Sequence, residues 1–334
     1  MIKLTRDLHS RALADLHRPH PFADERIGFL ACQSLTRGRT TIFFGCDYKT
    51  VADDDYLEDD SVGARIGGNA IRAAMHLAIS RRCSVFQVHT HGGTERPVPS
   101  PSDRAECPGV ARSLHNAFPG APHGWLILGH RSVYAEAISP ANTWHTFTEL
   151  SVVGMPMIFR ERKPNPIRKV WWSRRAASHD RYSRQGFLGP DSQSMIGSTR
   201  VGIIGLGGGG SHVVQQLAHL GFRDLVLCDP DRVSPSNLNR LVGATRRDAS
   251  WKRSKVRVAT RVIRGLHASA TIRSHASVWQ ACAGDIADCD IVVGCLDSFE
   301  QRNSIEAHCR RHLIPYVARS EEHTSELQSR ITTS

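Results

Sequence analysis

The hydrophobic positions of the chain form two successive series of strand and helix patterns. In the first series, apolar runs at Glu25–Cys32 and Arg39–Phe44 flank a turn and predict a β-hairpin. Apolar residues then recur at helical spacing from Ile66 to Leu77, and the run Ser84–His91 predicts a further strand that ends at a glycine pair. Strands and helices mixed in this way predict an α/β domain.

The second series alternates more regularly between strands and helices. Buried strands are predicted at Arg200–Gly205, Asp224–Asp229 and Asp290–Gly294. Between them lie the helix patterns Val213–Leu220 and Val256–Leu266. This order is typical of a mainly parallel sheet covered by helices, so the second half is predicted to be a Rossmann-like α/β domain.

Length and composition agree with a two-domain globular protein. The 334 residues can form two hydrophobic cores, and contents of 40% hydrophobic and 22% charged residues are ordinary. No apolar run approaches the ~20 residues of a membrane span, and the N-terminus lacks the apolar stretch of a signal peptide. The nine cysteines form no Cys-x-x-Cys pair and are expected to be reduced and mostly buried. The expected location is the cytoplasm.

The formal net charge of +11 raises the question of nucleic-acid binding. The basic residues are spread along the chain rather than striped, and the densest cluster, Arg160–Arg175, lies between the two predicted domains. This distribution favours a solvated linker or a contact with an acidic protein over a contact with nucleic acid.

The last residues differ from the rest of the chain. The segment Arg319–Ser329 reads RSEEHTSELQS, which resembles the translation of a common sequencing-library adapter. It follows the apolar run Leu313–Ala318 without a turn signal and has no hydrophobic period. We therefore expect residues 319–334 to be an artefact, with a disordered natural tail as the alternative, and the second domain to be incomplete.

A candidate metal site follows the strand Ser84–His91. Residues two apart on a strand point to the same face, so His89 and His91 can converge on one ion. The motif Ser100-x-x-Asp103 supplies a carboxylate near the start of another helix, and two imidazoles with one carboxylate are typical of catalytic zinc. Glu25 is the candidate base, with a solvated residue at a strand end as the simpler alternative.

These residues resemble the JAMM (JAB/MPN) metalloisopeptidases over about residues 15–145. The resemblance implies that His89, His91 and Asp103 bind zinc and that Glu25 acts as general acid and base. It further implies that Ser100 helps to stabilise the oxyanion of a tetrahedral intermediate. The implied substrate is a ubiquitin-like protein that is processed at its C-terminus or removed from a conjugate.

A glycine-rich turn follows the first predicted strand of the second domain. The pattern Gly205-x-Gly207-x-x-Gly210 opens a helix, and Asp229 ends the next strand about twenty residues later. Such glycines let the backbone approach a phosphate at the helix N-terminus, while the acid suits a ribose hydroxyl. Taken alone, this fingerprint indicates a dinucleotide such as NAD.

Further polar residues shift the interpretation towards ATP. Asn237, Arg240 and Lys255 surround the glycine turn with more positive charge than a pyrophosphate diester requires, whereas a triphosphate with a metal ion requires it. Asp297 follows the strand Asp290–Gly294, at the sheet edge where ligands bind, and its carboxylate suits Mg²⁺. The simpler alternatives are ordinary surface charge for the two cations and a helix N-cap for Asp297.

The second domain resembles the ThiF/MoeB/HesA group, the bacterial relatives of ubiquitin-activating enzymes, over about residues 181–318. The motifs that carry this resemblance are the glycine turn, Arg181-Tyr-Ser-Arg184-Gln, Asp229-x-Asp231, Ser236-Asn237-Leu238-x-Arg240, Lys255, and Asp297 with Arg302. The set as a whole is more specific than the glycine turn, and it favours an adenylating enzyme over an NAD-dependent oxidoreductase.

The resemblance to this group also assigns roles. It implies that Asp229 holds the ribose, that Asp231 belongs to the same nucleotide site, and that Asp297 holds Mg²⁺ near the reacting α-phosphate. It implies that Arg184 reaches the γ-phosphate in the partner subunit of a homodimer. The residues expected to hold phosphates are Asn237, Arg240 and Lys255.

The sequence thus predicts a metallopeptidase domain (residues 1–149), a basic linker (150–180) and an adenylating domain (181–318), with zinc, ATP and Mg²⁺ as cofactors. The expected function is ATP-dependent adenylation of the C-terminus of a ubiquitin-like protein, combined with zinc-dependent processing or deconjugation. The alternatives are sulfur-carrier activation for thiamin, molybdopterin or cysteine metabolism, and a non-catalytic scaffold that binds a ubiquitin-like partner. A conjugating enzyme is a further candidate partner, and no membrane contact is expected.

Overall fold

A computed structural model of the chain describes residues 1–37, 40–59, 62–92, 96–154, 181–189 and 192–318. It divides into two compact units, Met1–Glu161 and Arg162–Ser334. Residues 155–180 of the predicted linker and the adapter-like residues 319–334 lie outside the described residues. The first residues assigned to the linker, Leu150–Val153, form a strand of the first unit.

The first unit contains a mixed sheet and three main helices within its described residues. Its strands are β1 (Ile2–Thr5), β2 (Gly28–Arg37), β3 (Thr40–Thr50), β4 (Tyr56–Leu57), β5 (Arg65–Ile66), β6 (Ser84–His89), β7 (His123–Leu128), β8 (Val133–Ile138), β9 (Trp144–Phe147) and β10 (Leu150–Val153). Its helices are α1 (Arg6–Leu16), α2 (Gly68–Arg81) and α3 (Pro101–Ala117).

The large sheet of this unit has the strand order β10-β1-β3-β2-β6-β7-β8-β9. The predicted hairpin is present as the antiparallel pair β2–β3, and β6 lies between the antiparallel β2 and the parallel β7. Successive residues of a strand face opposite sides, so Leu30 packs with α1 while Phe29 packs with α2 and α3. The same alternation along β6 places Val85 and His89 on the side of α2 and α3.

Strand β2 begins later than its apolar pattern indicates. The pattern starts at Glu25, but regular pairing starts at Gly28. Before it, the buried Arg26 donates from Nε to the carbonyl of Arg18 at 2.6 Å and from Nη1 to Asp53 Oδ1 at 2.7 Å. These side-chain contacts hold the segment outside the ladder, and hydrophobic alternation carries no signal for them.

The second unit contains a parallel sheet covered by helices on both faces. Its described elements are α4 (Ser192–Ser198), β11 (Arg200–Ile204), α5 (Gly208–Leu220), β12 (Asp224–Cys228), α6 (Arg246–Ser250), α7 (Lys255–Leu266), β13 (Thr271–His275), α8 (Ala283–Ala287), β14 (Ile291–Gly294), α9 (Phe299–Arg311) and β15 (Tyr316–Ala318). The strand order is β13-β12-β11-β14-β15, and neighbouring strands are parallel. The prediction of a Rossmann-like α/β domain is confirmed.

Alternating residues of the parallel strands form two separate cores. Ile203 packs with α5 and α7 on one face, and Ile204 packs with Ile305 of α9 on the other. After β13 the chain crosses to the opposite side of β11, so the strand order reverses between β11 and β14. In open α/β sheets, ligands bind at such a reversal, beyond the carboxyl ends of the strands.

Most of the cysteines lie in the two hydrophobic interiors. Seven of the nine cysteines are buried, Cys46 is exposed and Cys295 is half-buried, so the expectation of mostly buried cysteines is confirmed. None of the described helices combines the length and apolar character that a bilayer crossing requires.

Candidate functional sites

Three predicted metal ligands meet on the α2/α3 side of the first sheet. His89 ends β6, His91 follows it, and Asp103 lies in the first turn of α3. His89 Nε2 lies 3.1 Å from Asp103 Oδ1, and His91 Nε2 lies 3.1 Å from Asp103 Oδ2. The structure therefore brings together the two imidazoles and the carboxylate that the sequence analysis grouped.

The spacing of these donor atoms fits a small divalent ion. Two ligand atoms at about 2.1 Å from a tetrahedral zinc lie roughly 3.4 Å apart, close to the separations found here. His89 is 3% exposed, and its Nε2 has no hydrogen-bond partner among the described residues. A buried imidazole nitrogen without a hydrogen bond is costly unless it binds an ion or a water molecule. The residues present therefore fit a zinc ion.

Ser100 positions Asp103 through the start of helix α3. Its Oγ accepts a hydrogen bond from the Asp103 backbone N–H at 3.1 Å, and Asp103 Oδ2 accepts one from the Ser100 N–H at 2.7 Å. This reciprocal capping box fixes the carboxylate beside the histidines. The Ser100 hydroxyl hydrogen is left to donate to another group, which is what the oxyanion role expected from the sequence requires.

The two carboxylates of this site differ in their proton affinity. Burial alone would raise the pKa of Asp103, but the nearby His89 imidazole, whose Nε2 lies 3.1 Å away, and hydrogen bonding from Ser100 hold that pKa well below its usual range. Burial raises the pKa of Glu25, and the positive charge that His89 and His91 can carry offsets this rise only in part. Glu25 Oε1 lies 4.0 Å from His91 Nε2, so it borders the ligand cluster.

The backbone of Glu25 is held by a neighbouring loop. Its N–H and that of Asp24 donate to the Gly63 carbonyl at 3.0 and 2.9 Å. A methyl group at Gly63 would lie 3.1 Å from the carboxyl carbon of Glu25, so a larger residue would press on that side chain. Gly63 gives no recognisable signal in the sequence, because the contact depends on how two distant loops fold together.

The cluster opens into a cavity of about 580 Å³. Its lining includes Cys107, which the sequence analysis did not assign to the site although it lies one helical turn after Asp103. The sulfur lies within 4.8 Å of ligand atoms of His89 and Asp103. Burial raises the pKa of Cys107 to about 12, so it is a neutral thiol at physiological pH.

In the second unit, two glycines have a steric reason to be glycine. Gly205 has φ +87°, and a Cβ there would lie 2.4 Å from the Cys295 carbonyl oxygen. A Cβ on Gly210 would lie 1.9 Å from the carbonyl oxygen of Gly205. Gly207 has open space around it and borders a second cavity, which lies within this unit. The first and last glycines therefore let helix α5 start close against the end of β11.

Asp229 fixes the same turn from the next strand. Its Oδ2 accepts a hydrogen bond from the Leu206 N–H at 2.6 Å, and its Oδ1 accepts one from the Asp231 N–H at 2.7 Å. The side chain is buried, and burial raises the pKa of Asp229 although both N–H groups and Lys255 oppose the rise. Asp229 thus shapes the glycine turn as well as facing the cavity.

The predicted phosphate-binding residues line one side of this cavity. Lys255 Nζ lies 2.7 Å from Asp231 Oδ2 and 3.9 Å from Asp229 Oδ1. Asn237 Oδ1 accepts from the Ser234 N–H at 3.0 Å, which leaves its amide N–H groups for other partners. Arg240 is exposed at the rim and donates to a backbone carbonyl of its own turn.

The cavity measures about 380 Å³ and lies beyond the carboxyl ends of β11, β12 and β14. Asp297 lines it from the exposed segment after β14, where Arg302 donates to the carbonyl oxygens of Leu296 and Asp297 at 3.2 Å. The predicted residues that line the cavity are Gly205, Gly207, Asp229, Asp231, Asn237, Arg240, Lys255 and Asp297. Gly210 contributes through packing.

Arg184 is not among the residues that line the cavity of its own chain. It lies exposed in the short helical turn Ser183–Leu188. The residues just before it are anchored on α7: Arg181 donates to the Leu266 carbonyl at 2.9 Å, and the buried Tyr182 lies against His267. Its predicted role in a second copy of the chain stays a prediction.

Trp279 and Gln301 are among the cavity residues that could not be assigned from the sequence. Both side chains line the cavity, and Trp279 Nε1 donates to Gln301 Oε1 at 3.0 Å. Trp279 begins the short 3-10 helix Trp279–Cys282, and Gln301 lies in the first turn of α9. Neither position belongs to a spaced motif, so only the fold brings them together.

Comparison with known proteins identifies the second unit. Residues 180–331 match the sequence model of the ThiF family. The second unit carries a ThiF-family domain. Curated relatives include the SAMP-activating enzyme E1 of Haloferax volcanii, 33% identical over 42% of this chain and 54% of that protein. Another is the molybdopterin-synthase adenylyltransferase of Escherichia coli, 34% identical over 41% of this chain and 57% of that protein.

The chain thus spans little more than half the length of these ThiF-related proteins. Among solved structures, it is similar to the E. coli tRNA N6-threonylcarbamoyladenosine dehydratase TcdA, with 24% identity and a TM-score of 0.40. That similarity covers 44% of this chain and 62% of TcdA.

Proposed function

We propose that the ThiF-family unit uses ATP to adenylate the C-terminal carboxylate of a ubiquitin-like or sulfur-carrier protein. The observation that carries this proposal is the cavity at the strand-order reversal, where the glycine turn, Asp229, Lys255 and Asp297 meet. Relatives named as activating enzymes or adenylyltransferases support it. A triphosphate needs both the cations and the carboxylate that this cavity offers.

Each residue has a role that its position allows. The backbone N–H groups at the start of α5 face the cavity and suit phosphate oxygens, with Gly207 leaving room for close approach. Asp229 accepts from ribose hydroxyls with the lone pairs that its two backbone contacts leave unused. Lys255, Asn237 and Arg240 bind the remaining phosphate oxygens from the facing side.

In the proposed reaction, a carboxylate oxygen of the carrier protein attacks the α-phosphorus of ATP. The bond from that phosphorus to the oxygen bridging to the β-phosphate breaks, and pyrophosphate leaves with its electron pair. Asp297 would hold Mg²⁺, which when bound neutralises charge on the phosphates. Arg184 of a second copy would add a cation at the leaving pyrophosphate, so we propose a homodimer.

ATP–pyrophosphate exchange with full-length protein tests this activity. The sulfur-carrier protein ThiS, whose adenylyltransferase is among the relatives, is a suitable probe. Asp297→Asn should abolish exchange, because it removes the carboxylate that faces the cavity. Glu300→Gln removes an exposed acid three residues later, outside the cavity lining, and should leave exchange unchanged.

We further propose that the first unit is a zinc-dependent hydrolase of the JAMM type. His89, His91 and Asp103 would hold the ion, as their donor spacing allows. Zinc, when bound, polarises a substrate carbonyl. Glu25 takes the proton of an attacking water molecule and passes it to the leaving amine, and Ser100 donates to the oxyanion.

Together the two units would act on one carrier protein. The hydrolase would expose the carrier C-terminus or release it from a conjugate, and the ThiF-family unit would activate that terminus. A sulfur-carrier pathway is the second candidate, supported by relatives named as adenylyltransferases of molybdopterin synthase and ThiS. A conjugating enzyme would be a further partner only in the protein-modification case.

Cleavage of a ubiquitin-like protein with a C-terminal extension tests the hydrolase. Glu25→Gln should abolish cleavage and keep the metal, because it removes a base and no ligand. Glu58→Gln, an exposed acid outside the cavity lining, is the matched control. Unchanged cleavage by Glu25→Gln would contradict the proposed mechanism. A wild-type protein that folds normally without bound metal would instead favour the non-catalytic scaffold that binds a ubiquitin-like partner.

A further inference from the structure

Helix α7 of the second unit has an outer face made of arginine. Its apolar side, including Ile263, packs against the parallel sheet. Apart from a glycine near its end, its exposed positions are Arg257, Arg261 and Arg264. At a rise of about 1.5 Å per residue, these side chains follow one line along the helix at steps of roughly 6 and 4.5 Å.

Neighbouring segments extend this line into a surface. The buried Asp248 of α6 accepts from Arg261 Nη1 at 2.9 Å and from Arg253 Nη1 at 3.3 Å, so α6 is held against α7. Arg246 and Arg247 lie exposed on α6 beside this contact. The arginine face, as we name it, consists of Arg246, Arg247, Lys252, Arg253, Arg257, Arg261 and Arg264.

The charge of this face is almost unopposed. Between residues 246 and 264 the chain has eight cationic side chains and a single acid, Asp248. Asp248 is 1% exposed and is occupied by Arg253 and Arg261. Across the described residues, no carboxylate lies within 4.0 Å of the charged groups of Arg257 or Arg264. These guanidinium groups are therefore open to a polyanion.

An aromatic side chain lies among these cations. Trp251 is 53% exposed, and the guanidinium carbons of Arg247 and Arg253 lie 4.0 and 4.8 Å from its ring centroid. The two guanidinium groups cover part of the indole, and an unpaired base can stack on the exposed part of the ring or on the planar guanidinium groups beside it. Arginine also binds phosphate oxygens with two parallel N–H groups, which lysine cannot do.

We propose that the arginine face binds single-stranded nucleic acid, through guanidinium–phosphate contacts along α7 and base stacking on Trp251. The line of cations suits a phosphate backbone, and the exposed indole favours unpaired bases over an acidic protein surface. The basic residues are spread along the sequence, but the fold gathers seven of the eight cations of residues 246–264 on one side, the exception being the buried Lys255. This binding does not depend on the proposed adenylation activity.

Fluorescence anisotropy with the full-length protein tests the proposal, with a labelled single-stranded RNA of about 20 nucleotides as the probe. Each phosphate contact to a single strand contributes about −0.7 to the slope of log affinity against log salt. The double variant Arg257→Gln, Arg264→Gln should lower the steepness of that slope by about 1.4 and weaken binding about 25-fold near 0.1 M salt. Trp251→Ala should weaken binding roughly tenfold.

A matched variant controls for net charge. Arg310→Gln, Arg311→Gln removes two exposed arginines of α9, whose Cys309 packs on the opposite side of the sheet from α7, and should bind RNA like the wild type. Single-stranded DNA should bind with a similar salt slope, and a duplex of the same sequence should bind more weakly. Equal losses in both double variants would overturn the proposal, as would equally tight binding of poly-L-glutamate, which would indicate an acidic protein partner.

Discussion

Replacing Gly210 by alanine tests how the glycine turn is built. A Cβ at this position would lie 1.9 Å from the Gly205 carbonyl oxygen, and it would also approach Cys295 Cβ at 3.4 Å. An ordinary carbon–oxygen contact needs about 3.4 Å, so the start of α5 must move away from the end of β11 by more than roughly 1 Å. No side chain can rotate to relieve this contact, because the main obstacle is backbone.

Inserting an extra methyl group into a packed protein core lowers the free energy of unfolding by about 1–3 kcal/mol. Because the contact at Gly210 is so short, we expect Gly210→Ala to fall at the upper end of this range, about 3 kcal/mol. For a domain of this size that corresponds to a decrease in Tm of roughly 6–12 °C. Gly207→Ala is the matched control: it has open space around its Cβ and φ −71°, so its Tm should stay within about 2 °C of the wild type.

Differential scanning calorimetry of both variants measures these effects. The transition of the ThiF-family unit is the one whose midpoint rises when ATP is added, as expected for a ligand that binds only the folded state. Gly210→Ala should also lose this ATP-dependent rise, because the α5 N–H groups are displaced. Equal Tm values for the two alanine variants would refute the steric argument for this turn.

Three further predictions concern the other sites. His89→Ala should reduce bound zinc, measured by mass spectrometry, to a small fraction of the wild-type amount, while Glu25→Gln keeps it; unchanged zinc in His89→Ala would contradict the ligand assignment. Asp248→Asn should lower the free energy of unfolding by roughly 2–3 kcal/mol at pH 7, because a buried acceptor of several hydrogen bonds is lost. Hydrogen bonds from Arg261 hold the pKa of Asp248 well below its unfolded value. The difference in unfolding free energy should therefore persist above about pH 4 and shrink as the pH falls further. A difference that does not change with pH would contradict this role of Asp248. Arg184→Ala and Asp297→Ala should each be nearly inactive in pyrophosphate exchange, and mixing them should restore about a quarter of the wild-type rate if sites are shared between two chains; no recovery after verified mixing would exclude that sharing.

The regular elements of both units could be predicted because their apolar patterns are strong. The strand pattern Asp224–Asp229 corresponds to β12, and the apolar positions from Val256 to Leu266 correspond to α7. Both segments pack against a sheet along one face, so their burial is visible in the spacing of apolar residues. The start of β2 was predicted less well, because contacts of Arg26 with the backbone of the preceding loop and with the distant Asp53 side chain determine it.

The same distinction holds for the candidate sites. His89, His91 and Asp103 were found because strand geometry and a helix cap fix them locally. Trp279 was not found because its partner Gln301 lies 22 residues away in sequence. The arginine face was not found because only the fold shows which side of α7 is exposed. Residues with a local geometric constraint can be predicted from sequence, whereas partners gathered by tertiary packing cannot.

The proposed adenylation by the ThiF-family unit joins AMP to the C-terminus of a carrier protein and so increases the mass of that protein. Intact-protein mass spectrometry of ThiS, after incubation with the full-length chain, ATP and Mg²⁺, tests it most directly. We expect an added adenylyl group on the ThiS C-terminus that is absent without ATP and absent with Asp297→Asn. The same adduct yield from Asp297→Asn, or no adduct with any carrier protein although ATP binds in the cavity, would contradict it.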